Sequence, residues 1–402
     1  MIDGLRRDRR THPYHGRQEY AGRVNEVVVE CHELIGIEPA AVPALLQRAV
    51  ERVTATLMHM DDSTGIVGDG LRGLMAVHAH ACVAASPDAK RLAAWLVKLR
   101  LDGPGWPDFE LRDYAETLGD RGRNEIGRLL ADRAAAAQPD PHGWDGFGIR
   151  VLREQLAEIS GDIDEYVAVL AESLNSAHQY LRIVDALIAA DRHTDAERWA
   201  TRGLEQRGIP EDVVKLRDAY VDLLLRRGAT GEAMDLRRNV FDQHPIRRNY
   251  ADLRRTAVAL GQWDGLRDTM IGRLYDAAAQ QAGYADDLIA VLLDEGDTDQ
   301  AWQVGRDYAD SLHASRWQQL IELRQPDHPA DVITPLRRLI EQRLTDDRDK
   351  YRYDRAIKML RQLRGAHRAA GCSDDFATYA ADLRERHKRK TSLLAKLDRA
   401  GL

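Results

Sequence analysis

Gly296-Asp-Thr-Asp-Gln-Ala301 is one of six short stretches in this chain that share a form. A residue suited to ending one helix is followed by hydroxyl or acidic residues, and then by a small or aromatic residue that opens an apolar stripe. The other five are Gly161-Asp-Ile-Asp-Glu-Tyr166, Asp191-Arg-His-Thr-Asp-Ala196, Gly228-Ala-Thr-Gly-Glu-Ala233, Gly261-Gln-Trp-Asp-Gly-Leu266 and Gly371-Cys-Ser-Asp-Asp-Phe376. Their first residues lie 30, 37, 33, 35 and 75 positions apart, the last gap being close to two periods with one degenerate copy between them. A period of about 34 residues marks a stack of helical hairpins, each leaning on its neighbours because alone it cannot bury its apolar face. The predicted fold is therefore all-α, an α-solenoid of helical hairpins.

Each turn has a local physical reason. Glycine accepts the left-handed conformation without a side-chain clash and so ends the preceding helix. A hydroxyl two residues later, Thr230, Thr298 or Ser373, is expected to accept from an orphan backbone N–H and start the next helix. Thr194 with Glu197, and Asp162 with Glu165, have capping-box spacing. Downstream, apolar residues fall three and four apart: Tyr166, Val169, Leu170 and Leu174; Ala196, Trp199, Ala200 and Leu204; Phe376, Tyr379, Ala380 and Leu383. Each set predicts one helix face.

Composition agrees with a long helical stack. The chain has 402 residues, more than one globular core usually serves, whereas a solenoid has no such limit. Charged residues make up 31% and aromatic residues 6%, a helix-favouring mixture. The net charge of −7 gives no global pull toward nucleic acid. Cys31, Cys82 and Cys372 are far apart and odd in number, which reads as reduced thiols of a cytoplasmic protein. Six arginines and no apolar core in the first 24 residues do not make a secretory signal. The uncharged stretch from Gly73 to Pro87 is too short and too polar to span a bilayer.

Three regions are expected along the chain. Residues 1–16 form a basic N-terminal segment containing Arg6, Arg7, Arg9 and Arg10. Residues 17–137 form an irregular helical subdomain, with helices predicted over Arg17–Ile35, Pro39–Met60, Asp69–Ala85 and Pro87–Leu101, Ser86 standing ready as a cap. Residues 146–402 form the repeat region, continuous with what precedes it. Proline and glycine clusters at Asp102-Gly-Pro-Gly-Trp-Pro107 and Gln138-Pro-Asp-Pro-His-Gly143 interrupt the helices, and the regular rhythm begins after the second.

Motifs with chemical content are few. Gly68-Asp-Gly-Leu-Arg-Gly73 matches the dinucleotide fingerprint by letter, but that motif works only between a strand and a helix, so a helix-linking loop is predicted here. His78 and Cys82 share a helix face while His80 points about 200° away, and no fourth ligand stands near, so structural roles are predicted. Asp61, Asp62, Ser63 and Gly65 lack the alternating ligands and closing glutamate of a calcium loop and read as a turn. Asp346-Asp347 and Asp374-Asp375 sit where acids favour a helix dipole. No catalytic residue, cofactor site or metal site is assigned.

The concentrated charge lies near the C-terminus. Arg384-Glu-Arg-His-Lys-Arg-Lys390 makes Arg384, Arg386, Lys388, Arg389 and Lys390 the candidate contacts for a phosphate or a partner. The competing expectation is a solvated cluster that complements a helix C-terminus. The second is the one preferred.

Gly228, Ala233, Phe241 and Pro245 resemble the second helix and closing proline of a tetratricopeptide repeat, so the hairpins are tetratricopeptide-like. Ala189-Ala-Asp-Arg-His-Thr-Asp-Ala-Glu-Arg-Trp-Ala-Thr-Arg-Gly-Leu204, His59-Met-Asp-Asp-Ser63 and Tyr379-Ala-Ala-Asp-Leu-Arg-Glu-Arg-His-Lys-Arg-Lys390 resemble the helical region that follows the zinc finger in bacterial SWIM zinc-finger proteins. The finger itself, Cys-x-Cys followed by Cys-x-His, is absent, because Cys31, Cys82 and Cys372 lack that spacing. Zinc binding is therefore not implied for any residue here. The expected function is a non-enzymatic, cytoplasmic scaffold for an unidentified protein or peptide partner, with no membrane contact. The alternative is a nucleic-acid-associated accessory protein using its basic termini.

Overall fold

The computed structural model describes residues 2–6, 16–104, 106–136, 144–174, 176–206, 208–346 and 348–402. Arg7, Arg9, Arg10, Asp347, Gly105 of the first proline-glycine cluster and the whole 138–143 cluster lie outside the described residues. Among those described, the chain forms twenty α-helices and no strand. Contacts divide it into two compact units, Met1–Leu223 and Leu224–Leu402.

The first unit contains α1 (Arg17–Ile35), α2 (Val42–Leu57), α3 (Ile66–Ala85), α4 (Ala89–Leu101), α5 (Ala115–Ala136), α6 (Trp144–Ser160), α7 (Ile163–Ala171), α8 (Ala177–Ala189), α9 (His193–Leu204) and most of α10 (Pro210–Arg226). The second contains α11 (Thr230–Gln243), α12 (Arg247–Ala259), α13 (Arg267–Gln280), α14 (Ala285–Asp294), α15 (Thr298–Asp307), α16 (Ala314–Arg324), α17 (Ile333–Thr345), α18 (Arg352–Ala369), α19 (Ser373–Arg386) and α20 (Thr391–Ala400). The architecture is all-α and built of tetratricopeptide-like hairpins. The degenerate copy between Gly296 and Gly371 is the α16–α17 pair, whose link has no left-handed residue.

The six punctuating residues all turn left-handed, with φ of 78°, 55°, 81°, 67°, 81° and 73° at Gly161, Asp191, Gly228, Gly261, Gly296 and Gly371. In five copies the backbone closes the same pair of bonds. Asp297 N donates to Leu292 O (2.8 Å) and Gly296 N to Leu293 O (3.1 Å); Cys372 N donates to His367 O (2.9 Å) and Gly371 N to Arg368 O (3.2 Å). The turns at Asp191, Gly228 and Gly261 repeat the pattern. This double closure satisfies carbonyls that a helix end leaves orphaned, and the left-handed residue makes it possible.

The hydroxyl caps expected in these turns do not form. Closure is so tight that Ala229, Asp297 and Cys372 are already the N-cap positions, which makes Thr230, Thr298 and Ser373 the first helical residues. Of the three, Asp297 alone carries a side chain that caps, accepting from Gln300 N at 3.1 Å. Asp162 does cap α7, accepting from Asp164 and Glu165 amides, whereas Thr194 lies inside α9. A full capping box forms instead at Ser176 and Gln179. Ser86 ends α3 in the left-handed region and Asp88 caps α4.

The predicted loop at Gly68–Gly73 is also corrected, because all six residues lie in α3, which contains the helix predicted over Asp69–Ala85 and begins three residues before it. A Cβ on Gly70 would stand 2.8 Å from Val24 Cγ1, and one on Gly73 would stand 3.4 Å from Val28 Cγ2. These glycines let α3 lie close against α1. The preceding turn serves the helix start: Asp62 accepts from the amides of Val67 (3.2 Å) and Gly68 (2.8 Å).

Three apolar clusters carry the stability. In the first unit one runs from Leu5 to Leu152 and a second from Leu170 to Leu223. In the second unit a single cluster runs from Met234 to Leu397, through α11 to α20. Within it Phe241, Tyr250 and Trp263 step edge to face at centroid spacings of 6.0 and 5.3 Å. That staircase ties α11 to α12 and the turn that follows.

Candidate functional site

The second unit opens a cavity of about 450 Å³ among α15, the link after it, α16 and α17. Gly305 supplies the close approach behind it, since a Cβ there would sit 2.6 Å from Leu320 Cδ1. Its aromatic wall is Trp302 of α15 and Trp317 of α16, packed perpendicular with centroids 5.7 Å apart. Trp317 donates its indole N–H to Ala309 O at 3.3 Å. Trp302 is 4% exposed, and its indole N–H has no acceptor among the described residues. An orphaned buried donor costs about 1–3 kcal/mol. Trp302 also lines a smaller cavity of about 120 Å³ with Arg324 and His328.

The polar lining of the larger cavity is cationic on balance. Arg306, in the last turn of α15, is exposed and makes no ion pair or hydrogen bond among the described residues. Arg338 of α17 pairs with Asp310 at 2.6 Å, and that carboxylate is 95% exposed. Asp331 is held by Arg324 at 2.9 Å, and Arg324 also pairs with Asp299. Thr334 and Pro335 bring the first turn of α17 to the wall; this thirteen-residue helix has no side-chain cap and no acid in its first turn. Its N-terminal dipole is therefore uncompensated by its own sequence.

A family model matches residues 146–396, described as a family of unknown function, DUF6880. The chain belongs to that family. Both the cavity and the basic 384–390 cluster fall within the matched DUF6880 region, while His78 and Cys82 lie outside it. Among curated proteins none matches the chain. Solved structures with some likeness include a human IFIT1 dimer with m7Gppp-AAAA, at 11% identity, covering 90% of this chain and 95% of that one, with a TM-score of 0.24. Yeast Tom70 is 13% identical, covering 95% and 91%, with a TM-score of 0.25. A circular tandem repeat protein is 15% identical, covering 95% and 90%, with a TM-score of 0.17. Likenesses at this level say nothing of what a DUF6880 chain binds.

The basic residues singled out in the sequence are mostly engaged within the fold. Arg384 donates to Asp398 (2.7 Å) and to the main-chain oxygen of Leu402, clamping α20 onto α19. Arg386 pairs with Glu341 of α17 (2.9 Å) and with Asp382 (2.7 Å). Lys388 pairs with Glu385, and Lys390 donates to Leu344 O at 3.0 Å. Arg389 alone of the five is exposed without a partner among the described residues. Replacing Arg386, Lys388, Arg389 and Lys390 by alanine is therefore expected to leave weak nucleic-acid binding and its salt slope unaltered. It should lower stability by about 1 kcal/mol, as partly exposed ion pairs do. Titration of a DNA or RNA oligonucleotide against salt, beside a urea melt, checks both.

Two histidine–cysteine pairs have distinct chemistry. His78 Nδ1 lies 3.0 Å from the Tyr114 hydroxyl and its Nε2 lies 3.6 Å from Cys82 Sγ, all buried. Burial pushes the Cys82 thiol up to about 12, so it stays protonated and is a poor nucleophile. His80 points away, exposed, as expected.

The second pair was not singled out in the sequence. A His367 ring nitrogen, Cys372 Sγ and an Asp375 carboxylate oxygen lie within 4.8 Å of one another, and Nδ1 stands 3.3 Å from the sulfur. Arg337 approaches His367 Nε2 at 3.2 Å and can only donate, so that nitrogen accepts. Nδ1 then carries the proton and donates to Cys372 O at 3.1 Å. Both ring nitrogens are occupied, and a metal would have to break one of these bonds. The purified protein is expected to hold no stoichiometric zinc and to melt at an unchanged temperature with a chelator present. Elemental analysis finding one zinc per chain contradicts this.

The Trp302–Trp317 cavity also escaped the sequence reading. Its sole local signal was an aromatic residue directly after the Gly296–Ala301 motif. The partners that make it a site, Arg306 and Arg338, come from helices 32 residues apart in sequence.

Proposed function

We propose that the chain is a non-enzymatic, cytoplasmic scaffold that holds a protein or peptide partner on its helical hairpins. The observation that carries this reading is the aromatic and cationic cavity between successive helices of the second unit, large enough for one or two side chains of a partner. Hairpin stacks suit wrapping of an extended or helical segment. A non-enzymatic role is supported by the buried, protonated Cys82 and by the commitment of both His367 nitrogens. A cytoplasmic place is supported by three free cysteines, and no helix among the described residues is long and apolar enough to cross a membrane. Kinship with the helical region of SWIM zinc-finger proteins belongs to the same proposal.

The test is affinity purification from the native cell, followed by reconstitution with the purified partner. A stoichiometric complex that persists at moderate salt supports the scaffold. A sub-micromolar complex with DNA or RNA, steeply salt-dependent and abolished by the quadruple tail substitution, replaces it with the nucleic-acid reading.

A further inference from the structure

We propose that the Trp302–Trp317 cavity takes a short acidic peptide segment, an aspartate or glutamate flanked by a bulky apolar or aromatic residue. The inference rests on the scaffold reading and names the chemistry of its partner. The apolar neighbour seats against the perpendicular indoles, where stacking and edge contacts are both offered. The carboxylate meets the mouth, where Arg306 has no partner among the described residues and Arg338 holds an Asp310 carboxylate that faces water on nearly every side. Exchange of that exposed carboxylate for a ligand's keeps the Arg338 ion pair and adds Arg306.

The first turn of α17 adds a third attraction, since it ends a helix with neither a cap nor an acid of its own. The buried Trp302 N–H is the independent sign of a missing acceptor, because buried polar groups are otherwise nearly always paired. Asp331 does not oppose the site as a free charge, being shared with Arg324. For a basic peptide the acids at hand, Asp331 and Asp310, are already held by Arg324 and Arg338, and the remaining lining is Ala309, Ala330, Thr334 and Pro335.

The experiment selects binders from a displayed random short-peptide library on the full chain, then measures the synthetic peptides by fluorescence anisotropy. Enriched peptides should pair acidic with aromatic or bulky apolar residues and weaken as salt rises. The double substitution Arg306→Ala with Arg338→Ala should reduce affinity at least about tenfold, the loss of one to two charge-assisted bonds. Thr334→Glu gives a second variant whose folding is not in question. Its carboxylate supplies the acid that the α17 N-terminus lacks, so melting temperature should hold or rise while peptide binding is blocked.

Enriched peptides without acids, or acidic peptides that bind both variants as well as the parent, overturn the proposal and leave the scaffold reading standing. A library that yields no binder overturns both. Displacement of the peptide by a short oligonucleotide at comparable concentration assigns the cavity to nucleic acid and overturns it too.

Discussion

Phe241→Ala is expected to remove about 3–5 kcal/mol, a large share of the roughly 5–15 kcal/mol that holds a domain folded. The ring has no exposed surface and sits edge to face against Tyr250, which in turn meets Trp263. Truncation removes the buried area and leaves a hole among α11, α12 and the Gly261 turn. Rigid backbone closures on either side limit how far the helices can collapse into it. For a unit of this size the melting temperature should fall by on the order of 10 °C. Leu323→Ala is the control: that side chain is 47% exposed, and its loss should stay within about 0.5 kcal/mol. Urea denaturation of both variants decides the matter, and near-equal midpoints would contradict the burial assigned to Phe241.

The second large effect is one of pH and belongs to His78. Its ring is buried between Trp95 and Tyr114, at centroid distances of 4.6 and 5.6 Å, and burial lowers its pKa from 6.5 to about 4. In the unfolded chain the ring takes its proton near pH 6.5; in the folded chain it does so only near pH 4. Between these values the unfolded state binds more protons, so stability rises with pH across the window. The contribution is complete above pH 6.5, falls as the pH drops, and levels off below about 4. At about 1.4 kcal/mol for each pH unit of displacement, the full swing is on the order of 3 kcal/mol. His78→Phe should flatten the slope between pH 6.5 and 5, while Glu110 and Asp185, whose pKa values burial raises, contribute from the acid side in both proteins. His387, whose pKa burial also lowers, accounts for part of what remains. Tyr114 tolerates the change because its hydroxyl keeps Met75 O as acceptor at 3.3 Å. An unchanged pH profile in His78→Phe would show that the buried ring is not the group responsible.

How much of this was readable in the chain depends on the distance over which each interaction acts. The left-handed residues at Gly228, Gly261, Gly296 and Gly371 were legible, because such a turn is made by six consecutive residues and requires a conformation glycine adopts freely. The periods of three and four on the helices, the helix limits at Arg17 and Ile35, and the all-α class follow from equally local rules. The capping residues were misplaced by one position, since the hydroxyl preference is known but the tightness of the preceding closure is not written in any one residue. Gly70 and Gly73 carried a loop signal that the approach of α1 overrides.

The candidate site was less legible still. The five cations near the C-terminus were candidate contacts in the sequence, with a solvated cluster preferred, and the structure engages them within the fold: Glu341 and Asp398, placed on other helices, occupy Arg386 and Arg384. The cavity arises where Trp302, Trp317 and Arg338 meet from three helices, and no spacing rule joins them. Sequence by itself determined the repeat, the turns and the helical class, all interactions between residues a few positions apart. Only the tertiary structure decided which charges are neutralised, which indole lacks an acceptor among the described residues and where a cavity opens, because burial and pairing depend on neighbours that packing brings together.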